Sequence, residues 1–165
     1  MAKVRIRNLR EEDFPYIRSV INEWFGGRQV ADLVHRFLFQ HFRDTGFVAE
    51  EIGKAPKIVG FLVGFVSQTH PEEAYIHLVG VAPSHRGQGL GRGLYERFFE
   101  AVGQRGCRHV RSVTAPVNTA SIQFHRRMGF VIEPGDATTA DGIPVHSKYS
   151  GNGEARVCLV KDLRS

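Results

Sequence analysis

The stretch His85-Arg86-Gly87-Gln88-Gly89-Leu90-Gly91-Arg92-Gly93 follows an apolar run, Ile76 to Val81, and opens a helical pattern, Leu94 to Val102. Residues of these types in this order suit an anion. Gly87, Gly89 and Gly91 carry no Cβ, so the backbone can curl tightly and its N–H groups can converge. The helix that follows points its positive dipole end at the same spot. Arg86 and Arg92 flank the turn with guanidinium donors matched to phosphate oxygens. Glycines between a strand and a helix also serve simply as a sharp turn, so the spacing has to decide. A dinucleotide fingerprint needs Gly-x-Gly-x-x-Gly with an acidic residue about 20 positions on, whereas here the glycines recur at every second residue. A nucleoside triphosphate loop ends in Gly-Lys-Ser/Thr, whereas here Gly91 is followed by Arg92-Gly93. Neither motif fits.

What the turn does match is Arg/Gln-x-x-Gly-x-Gly/Ala, through Arg86, Gly89 and Gly91. A second block, Asn118 to Phe130, matches Asn-x-x-Ala/Ser-x-x-Phe-Tyr-x-x-x-Gly-Phe except that His125 stands where the pattern has Tyr. In both blocks, and in their separation, the chain resembles the GNAT superfamily of acyl-CoA-dependent N-acyltransferases. The likeness covers Ile76 to Phe130; the opening Ile6 to Asp13 is similar too, while residues 134–153 match nothing in it. The resemblance implies an α/β architecture, the GNAT fold: a mixed, strongly twisted sheet of six or seven strands with helices on both faces. In that fold the strand bearing Val79, Gly80 and Val81 splays from the strand His109 to Ala115, and their free backbone groups meet pantetheine. The resemblance further implies pyrophosphate contacts from Arg86, Gly87, Gln88, Gly89, Leu90, Gly91 and Arg92, and coenzyme A contacts from Asn118, Ser121 and Phe124.

The implied chemistry is direct attack of an amine on the thioester of acetyl-CoA within a ternary complex. The enzyme must then offer a proton acceptor for the ammonium form, donors for the developing oxyanion and a proton for the leaving thiolate. No metal is required. His125, in the place of the family's Tyr, can donate through one ring nitrogen, or it can simply pack and hydrogen-bond there. His77, four residues before Val81, is a candidate base, and it equally suits a structural role in a strand. The same binding machinery without turnover would make an acyl-CoA-binding regulatory module.

The acceptor groove of this fold is lined by the turn after the first helix and by the loop near the final strands. That brings Trp24, Phe25, His146 and Tyr149 forward as substrate contacts, with Glu23, Asp136 or Asp141 available to attract a cationic amine. Small amines, aminoglycosides, amino acids and peptide N-termini are all compatible acceptors. Residues 134–153, roughly 20 without periodicity, form a long connection for a compact domain, suited to a lid, to a contact in a homodimer or to disorder.

Behind these residues stands an alternation of strands and helices, which predicts α/β layers. Val4 to Arg7 reads as a strand, and Asp13 can cap a helix with Phe14, Ile17, Ile21 and Trp24 at helical spacing. A second helix is predicted over Ala31 to Asp44, with Leu33, Phe37, Leu38 and His41 on one side. Strands follow at Phe47 to Ile52, Ile58 to Ser67 and Ala74 to Ala82, and a helix at Gly89 to Val102. His109 to Ala115, Phe130 to Glu133 and Ala155 to Lys161 complete the sheet, with Asn118 placed to cap a short helix, Thr119 to Met128. The 165 residues, 42% of them hydrophobic, suffice for a single domain spanning 1–165 with a real core. No apolar run reaches the length of a membrane span and the N-terminus lacks a signal peptide's apolar stretch, so the chain reads as soluble and cytoplasmic. Cys107 and Cys158 lack metal-ligand spacing and receive no role. The net charge of +5 is scattered over many elements without the aromatic-interleaved basic strand of RNA binders, which argues against a nucleic-acid partner.

Overall fold

The computed structural model describes residues 2–164. Its strands are Val4–Asn8 (β1), Phe47–Glu51 (β2), Lys57–Val66 (β3), Glu73–Val81 (β4), His109–Thr114 (β5), Val131–Ile132 (β6), Ala137–Thr138 (β7), Pro144–Val145 (β8) and Val157–Asp162 (β9). Its α-helices are Phe14–Trp24 (α1), Arg36–His41 (α2), Leu90–Gly103 (α3) and Thr119–Arg127 (α4). Among the described residues seven strands form one mixed sheet in the order β1-β2-β3-β4-β5-β9-β6, within the six or seven strands expected. Only β4 and β5 run parallel. A parallel pair needs a crossover connection, and α3 provides it.

The helices cover both faces because β3 is apolar on both. Its residues Ile58 to Gly64 are all buried. α3 lays Leu94 and Phe98 over one face, and a Cβ at Gly64 would stand 2.7 Å from the Phe98 ring and 2.7 Å from the Tyr75 carbonyl oxygen. Only glycine permits that approach. The neighbouring side chain, Phe61, points to the other face, where it meets Trp24 at a ring separation of 6.2 Å. Ile17, Ile21 and Trp24 of α1 are buried there, one turn apart as their spacing predicts.

The expected second helix is corrected. Residues 31–45 form two 3-10 turns, Ala31–Leu33 and Arg43–Thr45, on either side of the short α2. The buried apolar residues are Val34, Leu38 and Phe39, whereas Leu33 and Phe37 are exposed. At about 100° per residue, Val34 and Phe39 would lie far apart around one continuous helix, and breaking it at the extended His35 lets both reach the core.

Asp13 also differs from its expected capping role, since its side chain caps no N–H of α1. Its carboxylate takes both terminal nitrogens of Arg7 at 2.9 Å and the Arg10 backbone N–H at 2.7 Å. Arg7 and Arg5 also hold Glu50, at 3.1 and 2.9 Å. Asp13 and Glu50 are both buried, so the cluster pins β1 to β2 and to the start of α1. Residues 134–153 contain the hairpin β7-β8, too short to show periodicity, and a bridge between His146 and Arg156 fastens this segment ahead of β9. No helix among the described residues is long and apolar enough to cross a membrane.

Candidate active site

β4 pairs with β5 over only three residues, Glu73 with His109, Ala74 with Val110 and Tyr75 with Arg111. The cause of the parting is visible on its other side. Against β3 the register moves from Val63 opposite Leu78 to Gly64 opposite Ile76, which leaves His77 as an extra residue in β4. A bulge bends the strand that carries it, so Val79, Gly80 and Val81 keep β3 as neighbour and turn their other edge away from β5. Backbone N–H and C=O groups on such an edge need partners.

Over this wedge lies a cleft of about 530 Å³ walled by Val79, Gly80 and Val81, by Trp24 and Phe25 at the end of α1, by Gly91 and Tyr95 of α3, and by Asn118, Ser121, Phe124 and His125. A second chamber of about 480 Å³ shares Val81, Arg86, Gly91 and Phe124 with it and adds His85, Gly87, Gly89, Leu90, Arg92 and Arg127. The shared wall sets the two cavities side by side, one over the wedge and one at the glycine turn, with Arg86, Arg92 and Arg127 lining the second.

The glycine turn is built as its residue types imply. Gly89 is left-handed, at φ +80°, and starts α3 with no side-chain cap. The first N–H groups of a helix have no intrahelical partner, and here Gly89, Leu90, Gly91 and Arg92 of that first turn line the second chamber. Arg92 lies on the exposed side of α3, paired with Glu96 at 2.8 Å. Gln88 is exposed and outside both linings. Arg86 turns inward: Nε donates to the Val81 carbonyl at 3.3 Å and a terminal nitrogen donates to the Trp24 carbonyl. Its guanidinium thus ties the end of α1 to the end of β4.

Asn118 caps α4, its Oδ1 accepting from the Ser121 N–H at 3.2 Å. One turn on, His125 is buried, and both its nitrogens are engaged. Nδ1 lies 2.7 Å from the Ser121 carbonyl. A carbonyl only accepts, so Nδ1 carries the hydrogen, and Nε2 of the neutral ring accepts from the Tyr95 hydroxyl at 2.9 Å. Burial pushes the His125 pKa below its ordinary value, and the Ser121 bond opposes this less strongly. Burial pushes the Tyr95 phenol well above the usual range.

Sequence reasoning missed Tyr95, which sits one residue off the apolar stripe of Leu90, Leu94, Phe98 and Val102 and so faces α4. The available signal was a tyrosine beside the stripe in a chain lacking one at position 125. Arg28, at the end of the turn expected to line the acceptor groove but not among the contacts expected from it, lines the cleft with its guanidinium 5.6 Å from the Phe25 ring centroid.

Trp24 and Phe25 reach the cleft, although Trp24 is also a core residue. His146 and Tyr149 are set apart from them. They pack on each other at 6.2 Å, outside the cleft lining, with Tyr149 against Cys158 of β9. His77 is likewise outside the lining, and its Nε2 donates to the Leu33 carbonyl at 2.8 Å.

A mixed sheet opened between its two parallel strands, with a glycine-built helix start at the mouth of the opening, defines a distinct class of α/β fold. The model of the acetyltransferase (GNAT) family matches residues 4–130, and the chain belongs to that family. It is 32% identical over 89 residues to an L-2,4-diaminobutyric acid acetyltransferase of Shouchella clausii, covering 54% of this chain and 48% of the relative. With an uncharacterized N-acetyltransferase of Methanocaldococcus jannaschii it shares 28% identity over 134 residues, 76% of this chain and 59% of the relative. The chain thus spans about half the length of the curated relatives it matches. In fold it is similar to the diaminobutyrate acetyltransferase EctA of Paenibacillus lautus, solved with L-2,4-diaminobutyric acid and coenzyme A. That likeness has a TM-score of 0.71 at 22% identity, over 99% of this chain and 97% of that one.

Proposed function

We propose that this chain is an N-acetyltransferase that moves the acetyl group of acetyl-CoA to a small amine by direct attack in a ternary complex. The observation that carries this reading is the parting of β4 from β5 after Tyr75 and Arg111, which opens a cleft that shares a wall with the chamber at the glycine turn. The residues present fit coenzyme A. The edge of Val79 to Val81 that β5 leaves open, its Val81 carbonyl already taking a bond from Arg86, suits the amides of pantetheine, and the first N–H groups of α3 from Gly89 onward suit pyrophosphate. Asn118 spends its oxygen on the cap and keeps its side-chain N–H groups for the same arm. Arg127 lines the second chamber at the nucleotide end. Acetyl-CoA supplies a thioester carbon open to attack.

The acceptor enters beside Trp24, Phe25 and Arg28. The relatives named for L-2,4-diaminobutyric acid support an acceptor of that size, and Arg28 is a cation placed for the carboxylate of such an amino acid. His77 shapes the wedge through the bulge, with Nε2 committed to Leu33. A second reading, coenzyme A binding without turnover, draws on His125, whose ring hydrogen faces the Ser121 carbonyl and not the cleft. Calorimetric titration with coenzyme A, followed by thiol release from acetyl-CoA with a panel of amines, separates the two. Binding with release supports the enzyme, binding without release for any amine supports the second reading, and no binding sinks both.

A further inference from the structure

We propose that Tyr95 handles the reacting proton, taking it from the amine nitrogen as the C–N bond forms and giving it to the coenzyme A sulfur as the C–S bond breaks, with His125 behind it holding that proton in transit. The inference rests on the acetyl-transfer reading above and deepens it. The family pattern has a phenol at position 125, and this chain has an imidazole there. α3 brings a phenol against that imidazole: the Tyr95 hydroxyl lies 2.9 Å from Nε2 of His125, and both residues line the cleft. The phenol ring is held edge-on by Phe124 at 5.0 Å, Phe99 at 5.9 Å and Phe130 at 6.1 Å, so its hydroxyl has one place to be. The imidazole is fixed in turn by Nδ1 on the Ser121 carbonyl, which leaves Nε2 as a pure acceptor towards Tyr95.

The proton count closes within the pair. The proton of the attacking nitrogen passes to the Tyr95 oxygen while the phenolic proton passes to Nε2. The C–S bonding pair then goes to sulfur, sulfur takes the phenolic proton, and Nε2 returns its own to the Tyr95 oxygen. One proton has moved from nitrogen to sulfur, and both residues end as they began. Nitrogen and sulfur are bonded to one carbon at that moment, so one hydroxyl can serve both. The groups packed on the imidazole are Tyr95 from α3, Phe124 and Ser121 from α4, and Phe130; Tyr95 is the titratable one among them. Burial favours the neutral ring before and after these transfers and disfavours the protonated one, so the proton stays on Nε2 only in passing.

Tyr95→Phe, His125→Phe and the double variant test it, with wild type alongside. Tyr95→Phe keeps the ring packing and should lower kcat about 100-fold, the lower range for positioned acid-base groups, with KM for acetyl-CoA within about twofold. Because the two residues act as a unit, the double variant should be no slower than the worse single one. A separate readout needs no turnover: in the free protein, NMR titration of His125 should give a higher pKa in Tyr95→Phe, which removes a donor to the neutral ring. If Tyr95→Phe does not fold, His125→Phe decides, since it keeps the phenol and removes the proton's resting place, and the same loss is expected. An active wild type with Tyr95→Phe within about threefold of it, far below the range for acid-base catalysis, or losses that multiply in the double variant, would overturn the proposal alone. A wild type that releases no thiol with any amine would overturn the acetyl-transfer reading and this proposal together.

Discussion

Gly89→Ala separates what the glycine turn does for the fold from what it does for coenzyme A. A Cβ at Gly89 meets no atom within 4 Å, so the substitution has no steric clash with the protein. Its cost is conformational: φ is +80°, and a residue with a Cβ in the left-handed region costs about 1–2 kcal/mol. For a domain of this size 1 kcal/mol moves the melting midpoint by about 2–4 °C, so the variant should melt about 2–8 °C lower. Coenzyme A at 100-fold over its Kd stabilises wild type by about 2.7 kcal/mol, a rise of about 5–11 °C on the same scale. Losing one charge-assisted hydrogen bond from the turn, about 1.5 kcal/mol, weakens binding about tenfold. At the same coenzyme A concentration roughly half of that rise should then be left. The assay is thermal melting with and without coenzyme A. Gly53→Ala serves as the control, its Cβ also in open space but its φ outside the left-handed region. A Gly89→Ala protein that melts with wild type and shows the full coenzyme A shift would refute both the backbone argument and the phosphate cradle.

Other outcomes follow from the same geometry. Gly64→Ala puts a methyl group against the Phe98 ring and the Tyr75 carbonyl, and urea unfolding should show a loss of about 1–3 kcal/mol, the usual cost of overpacking; unchanged stability would mean that α3 does not sit as described. Arg7, then Arg5, hold the Glu50 carboxyl below its ordinary pKa. A depressed folded pKa gives stability that is present above the unfolded value, about 4.3, and lost as pH falls through the folded one. Melting midpoints should therefore drop below about pH 4.3, less steeply in Glu50→Gln, and superimposable profiles would contradict this. Arg86→Ala frees the Val81 and Trp24 carbonyls and should weaken coenzyme A binding by calorimetry about tenfold, the worth of one charged hydrogen bond; undiminished affinity would remove Arg86 from the site.

The sheet was largely legible because its strands carry strong local signals: the apolar run of β3, the alternation of β5 and the glycine turn after β4 all landed within two residues of their expected limits. Asn118 read correctly as a cap, since its partner N–H is three residues away. What failed depended on contacts distant in sequence. Asp13 looks like a cap until Arg7 and the Arg10 backbone claim it, and the helix expected over Ala31 to Asp44 breaks because Val34 and Phe39 must both reach the core. The bulge at His77 leaves no mark in the sequence, because register is a property of two strands. Tyr95 and His125 are 30 positions apart, so neither motif alone shows that the histidine is a hydrogen-bond acceptor and not a free acid.

The proposed activity joins the acetyl group of acetyl-CoA to an amine. The direct measurement is a mass balance on the purified protein with acetyl-CoA and small diamino acids, L-2,4-diaminobutyric acid among them, counting free thiol and acetylated amine in the same reaction. Both should appear in equal amounts for at least one amine. Thiol without acetylated amine, or neither product across the panel, would contradict it.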